Sequence, residues 1–305
     1  KNKRVISVNK INKLEKKIKK KILLDIHNIS KKKLFKGLKF SNLPVLMGVL
    51  NLTPNSFSDG GKYLKKNLAV LHAKRLIKDG CGILDIGGEA TNPGSRDIKA
   101  DEEWRRIYPV LSKIKRKFFI SLDTRKSFIM KKGIKNKINL VNDISGLGHD
   151  LNTIKVLKDT NIPFVIHHIQ GNPKTMQKNP KYKNVVLDIY DFFEDKLKFI
   201  RANKINHNNI ILDPGIGFGK NLKHNITILN EISIFHSLGF PLMLGISKKR
   251  FIKDIADKND SKERIGGTAS SSIHSLLQGV QILRVHDVNE IKQALKVFNK
   301  IIFNI

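Results

Sequence analysis

Eight short apolar runs, each followed by a stretch of helical period, predict an α/β fold: a (β/α)8 TIM barrel behind a basic N-terminal extension. Three observations carry this expectation. The runs are almost continuously apolar, as parallel strands buried on both faces are. No Pro- or Ser-rich linker breaks the alternation, and 305 residues suit one barrel of about 250 residues with something added in front. Polar or charged residues end every run, so in a barrel they would converge on one rim. A doubly wound open sheet fits less well, because no Gly-x-Gly-x-x-Gly turn follows the first strand. The expected division is 1–43 for the extension and 44–305 for the barrel.

Taken in order, the extension comes first. Residues 1–40 carry fifteen Lys or Arg against two acids, Glu15 and Asp25. Lys16-Lys17, Lys19-Lys20-Lys21 and Lys31-Lys32-Lys33 repel one another, and the apolar stretch Ile22-Leu23-Leu24 is too short for a signal peptide. A basic, acid-poor transit peptide is the alternative to an exposed extension, which is the reading adopted.

The strands are then expected at Val45–Leu50, Gly82–Ile86, Phe118–Leu122, Ile138–Val141, Phe164–Ile166, Ile210–Leu212, Leu242–Ile246 and Val280–Val285. Stretches such as Leu68-Ala69, Leu71-His72, Leu76-Ile77 and Phe192-Phe193, Leu197, Phe199-Ile200 supply the helical period between them. The first strand runs into Asn51-Leu52-Thr53-Pro54-Asn55-Ser56-Phe57-Ser58-Asp59-Gly60-Gly61. The second ends at Asp85 and a Gly87–Ser95 loop, the third at Asp123-Thr124-Arg125-Lys126, the fourth at Asn142-Asp143. The fifth leads to His167-His168 and Gln170–Pro173, and the sixth to Asp213-Pro214-Gly215-Ile216-Gly217-Phe218-Gly219-Lys220. Ser247-Lys248-Lys249-Arg250 follows the seventh, and Arg284-Val285-His286-Asp287 closes the eighth.

Composition narrows the classes. With 40% hydrophobic and 28% charged residues the chain is globular rather than disordered. No apolar stretch approaches the ~20 residues of a membrane span. One cysteine, Cys81, excludes a disulfide framework and sits in an apolar run as a core residue would. The net charge of +32 raises nucleic-acid binding, but lysine far outnumbers arginine and no aromatics interleave with it. It reads as lysine filling solvated positions.

The rim chemistry is more specific. Asp85, Asp123, Asn142 and Asp213 would ring a pocket floor, and buried carboxylates need donors, such as the paired N–H groups of an aminopyrimidine. Lys249 would complement a ring carbonyl or nitrogen. Arg284 and His286 alternate on strand eight and face one side, which with Asn51 suits an anion such as pyrophosphate and its Mg2+. The Thr53–Gly61 and Gly87–Ser95 loops have the small residues of lids, and Phe57 an apolar cover. The plainer alternatives are a structural salt-bridge cluster, and helix caps for Asp143 and Asp287.

Over about residues 44–301 these stretches resemble the dihydropteroate synthases, most strongly in Gly48–Gly61 and Asp213–Lys220. Asp85–Glu89, His168–Pro173 and Arg284–Asp287 add to the likeness. The resemblance implies displacement of pyrophosphate from hydroxymethyl-dihydropterin pyrophosphate by p-aminobenzoate. It implies that Asp123, Asn142, Asp213 and Lys249 hold the pterin, with Asp85 near pterin and pyrophosphate. Asn51, Arg284 and His286 then take pyrophosphate and Mg2+, Asn51 as metal ligand. Thr91, Pro93, Phe218, Ser247 and Arg250 fall at the aminobenzoate pocket. Asp85, Lys249, Arg284 and His286 are the expected catalytic set, and the expected form is a cytoplasmic homodimer acting on small molecules, without nucleic acid or membrane. Two departures stand out: Asn92 where the family usually has arginine, which Arg96 would have to replace, and Lys248 where it usually has arginine. Three alternatives therefore stay open: a weakened or inactive pterin-binding paralogue, a pterin-dependent methyltransferase, and a basic nucleic-acid-binding protein. On the leading reading Asp123→Ala abolishes pterin binding, whereas Arg284→Ala mainly weakens binding of the pyrophosphate ester.

Overall fold

The computed structural model describes residues 7–41, 43–53, 66–91, 94–114 and 118–304. A first helix, α1 (Lys16–Ser30), precedes the barrel. Strand β1 (Val45–Asn51) is followed by α2 (Lys66–Asp79), β2 (Ile83–Gly87), α3 (Ala100–Leu111), β3 (Ile120–Asp123) and α4 (Ser127–Lys135). Then come β4 (Leu140–Asp143), α5 (Asn152–Thr160), β5 (Phe164–His167), α6 (Val185–Ala202), β6 (Ile210–Asp213) and α7 (Leu222–Asn230). The chain ends with β7 (Met243–Leu244), α8 (Arg250–Ala256), α9 (Ile265–Leu277), β8 (Ile282–Val285) and α10 (Val288–Phe303).

All eight strands pair in parallel in the order β6-β5-β4-β3-β2-β1-β8-β7. A single bridge between Leu212 and Leu242 brings β6 to β7 and closes the ring. The (β/α)8 barrel expected from the sequence is the fold observed.

Strand period two sorts the side chains. Outward residues such as Leu84, Leu122, Val141, Ile166, Leu212 and Leu283 pack under the helices in the main core. Inward residues near the strand starts, Met47, Ile83, Leu140, Val165, Ile211, Met243 and Ile282, form a separate apolar layer. Continuing inward and upward, the same alternation delivers Asp85, Ser121, Asp123, Asn142, His167, Asp213 and Arg284. The barrel is thus apolar at its base and polar at the ends of its strands.

The strand bounds differ from the expected ones in a consistent way. Apolar runs were expected to stop at the last hydrophobic residue, but β1, β3, β5 and β6 continue through Asn51, Asp123, His167 and Asp213. The ladder needs backbone groups, not apolar side chains, so the polar rim residue is itself the last strand residue. β7 is reduced to two residues; Pro241 before it has no N–H, and its carbonyl instead accepts Leu212 N at 3.0 Å.

The segment read as an exposed extension is fastened to the barrel. No residue of α1 is buried. Yet Asn28 Nδ2 donates to Ser237 O at 2.8 Å, and Lys21 Nζ donates to Tyr190 Oη at 2.8 Å. Lys33 Nζ donates to the carbonyls of Asn28 and His236. Beyond it Phe35, 7% exposed, enters the apolar base layer and plugs the barrel at its lower end. Cys81 is buried, and burial pushes its thiol up to about 12, as befits a core residue. Among the described residues no helix is long and apolar enough to cross a membrane.

Candidate active site

Register brings the rim residues level. Asn51 pairs with Gly87, Gly87 with Asp123, and Asp123 with Asn142 across four adjacent strands. On the far side His167 pairs with Asp213. The rim is crowded here: a Cβ at 87 would lie 3.3 Å from Asp123 Cβ, and Asp123 would have to give way by a few tenths of an ångström.

Arg284, on β8, crosses the interior to the first group. Its Nε donates to Asp85 Oδ2 at 2.6 Å and its Nη2 to Asp123 Oδ2 at 2.7 Å. Asn142 Nδ2 donates to the same Asp85 oxygen at 3.2 Å. Burial works against the charge, but the two carboxylates hold the Arg284 guanidinium firmly protonated. Burial pushes Asp123 up to about 7 in spite of that guanidinium. Four buried atoms then face the interior with no hydrogen-bond partner among the described residues: Asp85 Oδ1, Asp123 Oδ1, Asn142 Oδ1 and Ser121 Oγ. Leaving such atoms dry costs about 1–3 kcal/mol each. Three of the four are pure acceptors, so the cavity is built for a ligand rich in N–H donors.

The second group sits at the end of β6. Asp213 Oδ1 accepts Gly215 N at 2.8 Å, in a turn where Gly215 takes φ +70°. A Cβ at 215 would stand 2.0 Å from His168 O, so only glycine fits. His167 Nε2 lies 3.9 Å from Asp213 Oδ2, while its Nδ1 meets Ile144 O at 3.0 Å. A carbonyl can only accept, so Nδ1 carries the proton; burial keeps the ring neutral, and Nε2 has none to give Asp213. Asp213 Oδ2 is thereby left for another donor. Burial also pushes Asp213 up to about 6. Phe218 and His167 meet nearly at right angles, ring centroids 4.5 Å apart, and Lys249 Nζ sits 4.2 Å from the Phe218 centroid. Burial and the neighbouring Arg284 bring Lys249 down to about 8.

The third group joins β7 to β8. Ser247 Oγ lies 3.0 Å from His286 Nδ1 and accepts His286 N at 3.2 Å. Burial, followed by the positive charge of Arg284, lowers His286 to about 3, so the ring is neutral at physiological pH. Lys248 Nζ pairs with Asp287 Oδ1 at 2.9 Å. The lysine standing where the family usually has arginine therefore points to Asp287. Asp287 precedes α10 without a side-chain capping bond, whereas Asp143, fully buried, accepts Ser145 N and Oγ in the turn after β4. Asp143 is structural.

An open cleft of about 420 Å3 adjoins these groups, with Thr91, Phe218, Lys249 and Arg250 in its walls. Arg250 is exposed and lies 3.6 Å from Asp254. Asn51 is half-buried at the end of β1. Among the described residues no three His, Cys, Asp or Glu gather as a metal site. Asn92, Pro93, Phe57 and most of the Thr53–Gly61 loop lie outside the described residues; Arg96 is exposed.

Sequence reasoning overlooked three features. Ser121 is the inward neighbour of Asp123 on β3, and counting back by two would have found it. Lys220 is 2% exposed and donates to Phe218 O at 2.8 Å and toward His168 Nδ1 at 2.9 Å. The third is an ion network around Glu89, for which the sequence carries no signal beyond its charges.

The sequence pattern of the family described as pterin binding enzyme matches residues 47–286. The chain belongs to this family. It is 38% identical over 256 residues to the dihydropteroate synthase of Escherichia coli strain K12, covering 83% of this chain and 90% of that one. The dihydropteroate synthase of Yersinia pestis, solved with a sulfonamide drug complex, superposes with a TM-score of 0.82 at 35% identity, covering 88% and 98%. That of Xanthomonas albilineans in complex with 7,8-dihydropteroate gives 0.76 at 30% identity, covering 85% and 94%. These relatives make the chain an enzyme of the dihydropteroate synthase kind, a transferase of folate biosynthesis that joins a pterin to p-aminobenzoate.

Proposed function

We propose that the interior acceptors of this barrel hold the pterin of hydroxymethyl-dihydropterin pyrophosphate while the open cleft presents p-aminobenzoate to it. The single observation that carries this is the set of partnerless buried acceptors on Asp85, Asp123 and Asn142. An aminopyrimidine edge offers in-plane N–H donors to fill them. Asp213 Oδ2 takes a further donor, and Lys249 meets a ring carbonyl or nitrogen above Phe218. The 7,8-dihydropteroate held by the Xanthomonas albilineans relative supports the assignment of both ligand halves to this kind of site.

The arylamine nitrogen attacks the pterin methylene, the C–O bond breaks with its electron pair going to pyrophosphate, and the amine's surplus proton passes to the departing pyrophosphate or to solvent. No protein nucleophile is required. Arg284, with Nη1 outside its two ion pairs, and neutral His286 bear on the charge that develops on the departing oxygen. Thr91, Phe218, Ser247 and Arg250 orient the amine, and orientation supplies much of the rate.

The ligands for Mg2+ are few, and that fits the ion, which keeps several waters and binds chiefly through substrate phosphates. Asn51 offers an amide oxygen at the end of β1, on the same inward parity as Met47, the register partner of Arg284. When bound, Mg2+ would neutralise diphosphate charge. Chelation with EDTA is expected to abolish pyrophosphate release and added Mg2+ to restore it, measured by a coupled pyrophosphate assay. Release of pyrophosphate only when pterin pyrophosphate and p-aminobenzoate are both present tests the function as a whole; none at high enzyme concentration would defeat it.

Two further assignments are ours. A homodimer is supported by exposed Ile226 and Ile255 on the neighbouring helices α7 and α8. A reducing compartment, the cytoplasm, is supported by a lone buried thiol.

A further inference from the structure

Away from the interior acceptors a chain of opposite charges runs from a buried end at Glu103 and Glu89 to an exposed end at Asp97 and Lys174. Glu89, just after β2, is 3% exposed at its side chain. Its Oε1 accepts Ile98 N at 3.0 Å and Lys126 Nζ at 2.7 Å, and its Oε2 accepts Arg125 Nε at 3.0 Å. Arg125 also reaches Asp97 Oδ1 with Nη2 at 2.5 Å. Asp97 Oδ2 then receives Lys174 Nζ at 3.0 Å, and Gly94 N donates to Pro173 O at 3.0 Å. Lys126 is anchored in turn by fully buried Glu103 at 2.6 Å. Hydrogen bonds from Arg125 and Lys174 hold Asp97 down at about 2, so the outer link stays ionised at neutral pH.

The topology of this network is that of a clamp. Glu89 and Asp97 stand at the two ends of the segment that carries Thr91, and Arg125 spans them. Through Lys174 the same segment is tied to the stretch after β5, whose Met176 and Gln177 line the cleft together with Thr91. Gln177 Nε2 continues the tie to Gly217 O at 2.7 Å, next to Phe218. Desolvating these charges is costly, and an apolar filling would serve packing as well or better. A rigid spacing between two walls is what the ions add.

We infer that Arg125 is a positioning residue for the arylamine: it sets the spacing of the cleft walls without touching either substrate. This rests on the assignment of the cleft to p-aminobenzoate. In a pyrophosphate-release assay, Arg125→Met is expected to raise KM for p-aminobenzoate about tenfold, leaving KM for the pterin pyrophosphate within about twofold. Arg125→Lys, which keeps one link, recovers part of the loss. Asp97→Asn, at an exposed site that leaves the fold alone, moves the same KM less, and the double variant is no worse than Arg125→Met, since both cut one clamp. Calorimetric affinity for p-aminobenzoate gives the same ratios without turnover, so an inactive wild type would defeat the functional reading and not this one. Unchanged amine binding in Arg125→Met and Asp97→Asn, equal losses for both substrates, or additive losses in the double variant would overturn the inference.

Discussion

At the scale of single residues, the pterin pocket depends on acceptors raised in pKa by burial. Burial brings Asp123 to about 7 and Asp213 to about 6, where free carboxylates titrate near 4. Ligand N–H groups bond more strongly to the ionised forms, so binding favours deprotonation. Between about pH 5 and 7 binding should therefore release protons, and affinity should fall as pH drops through that window. Calorimetry in buffers of different ionisation heat measures the release directly; proton uptake on binding would contradict it. Arg284 revises a sequence-based expectation at this scale. Its two ion pairs mean that Arg284→Ala strands two buried carboxylates, so the variant weakens the pterin as well as its pyrophosphate ester.

At the scale of elements, the loop after β6 illustrates how glycine serves position. Gly215 turns the chain with φ +70° and donates its N–H to Asp213. Gly215→Ala must push aside His168 O, and the expected result is an affinity for hydroxymethyl-dihydropterin lowered about tenfold through a displaced Asp213. An unchanged affinity would remove the turn from the account. What was legible in the sequence also divides at this scale. The inward parity of Asp85, Asp123, Asn142 and Asp213 and the loop glycines follow from period two and backbone sterics, both local properties. The partner of Lys248 and the clamp of Glu89, Arg125 and Asp97 were not legible, because they join residues from different strand ends whose distance only the closed barrel sets. The same period turns Asp143, next to inward Asn142, outward, where it accepts Ser145 N and Oγ.

At the scale of the whole molecule, the barrel separates stability from chemistry along its axis. The base is apolar and closed by Phe35, which arrives from a segment too basic to read as core-forming. Phe35→Ala is expected to lower stability by about 3 kcal/mol in urea unfolding, with kcat for pyrophosphate release unchanged. A large loss of kcat at full stability would deny that separation. The other end gathers Asp85, Asp123, Asp213, Lys249 and Arg284 around one interior, the arrangement on which the functional reading depends. Calorimetric titration of hydroxymethyl-dihydropterin into wild type and Asp123→Asn tests it most directly. The account predicts a tight wild-type complex weakened about 100-fold by the substitution, the worth of charge-assisted hydrogen bonds at a buried acceptor; binding within about twofold of wild type, in a folded variant, would contradict it.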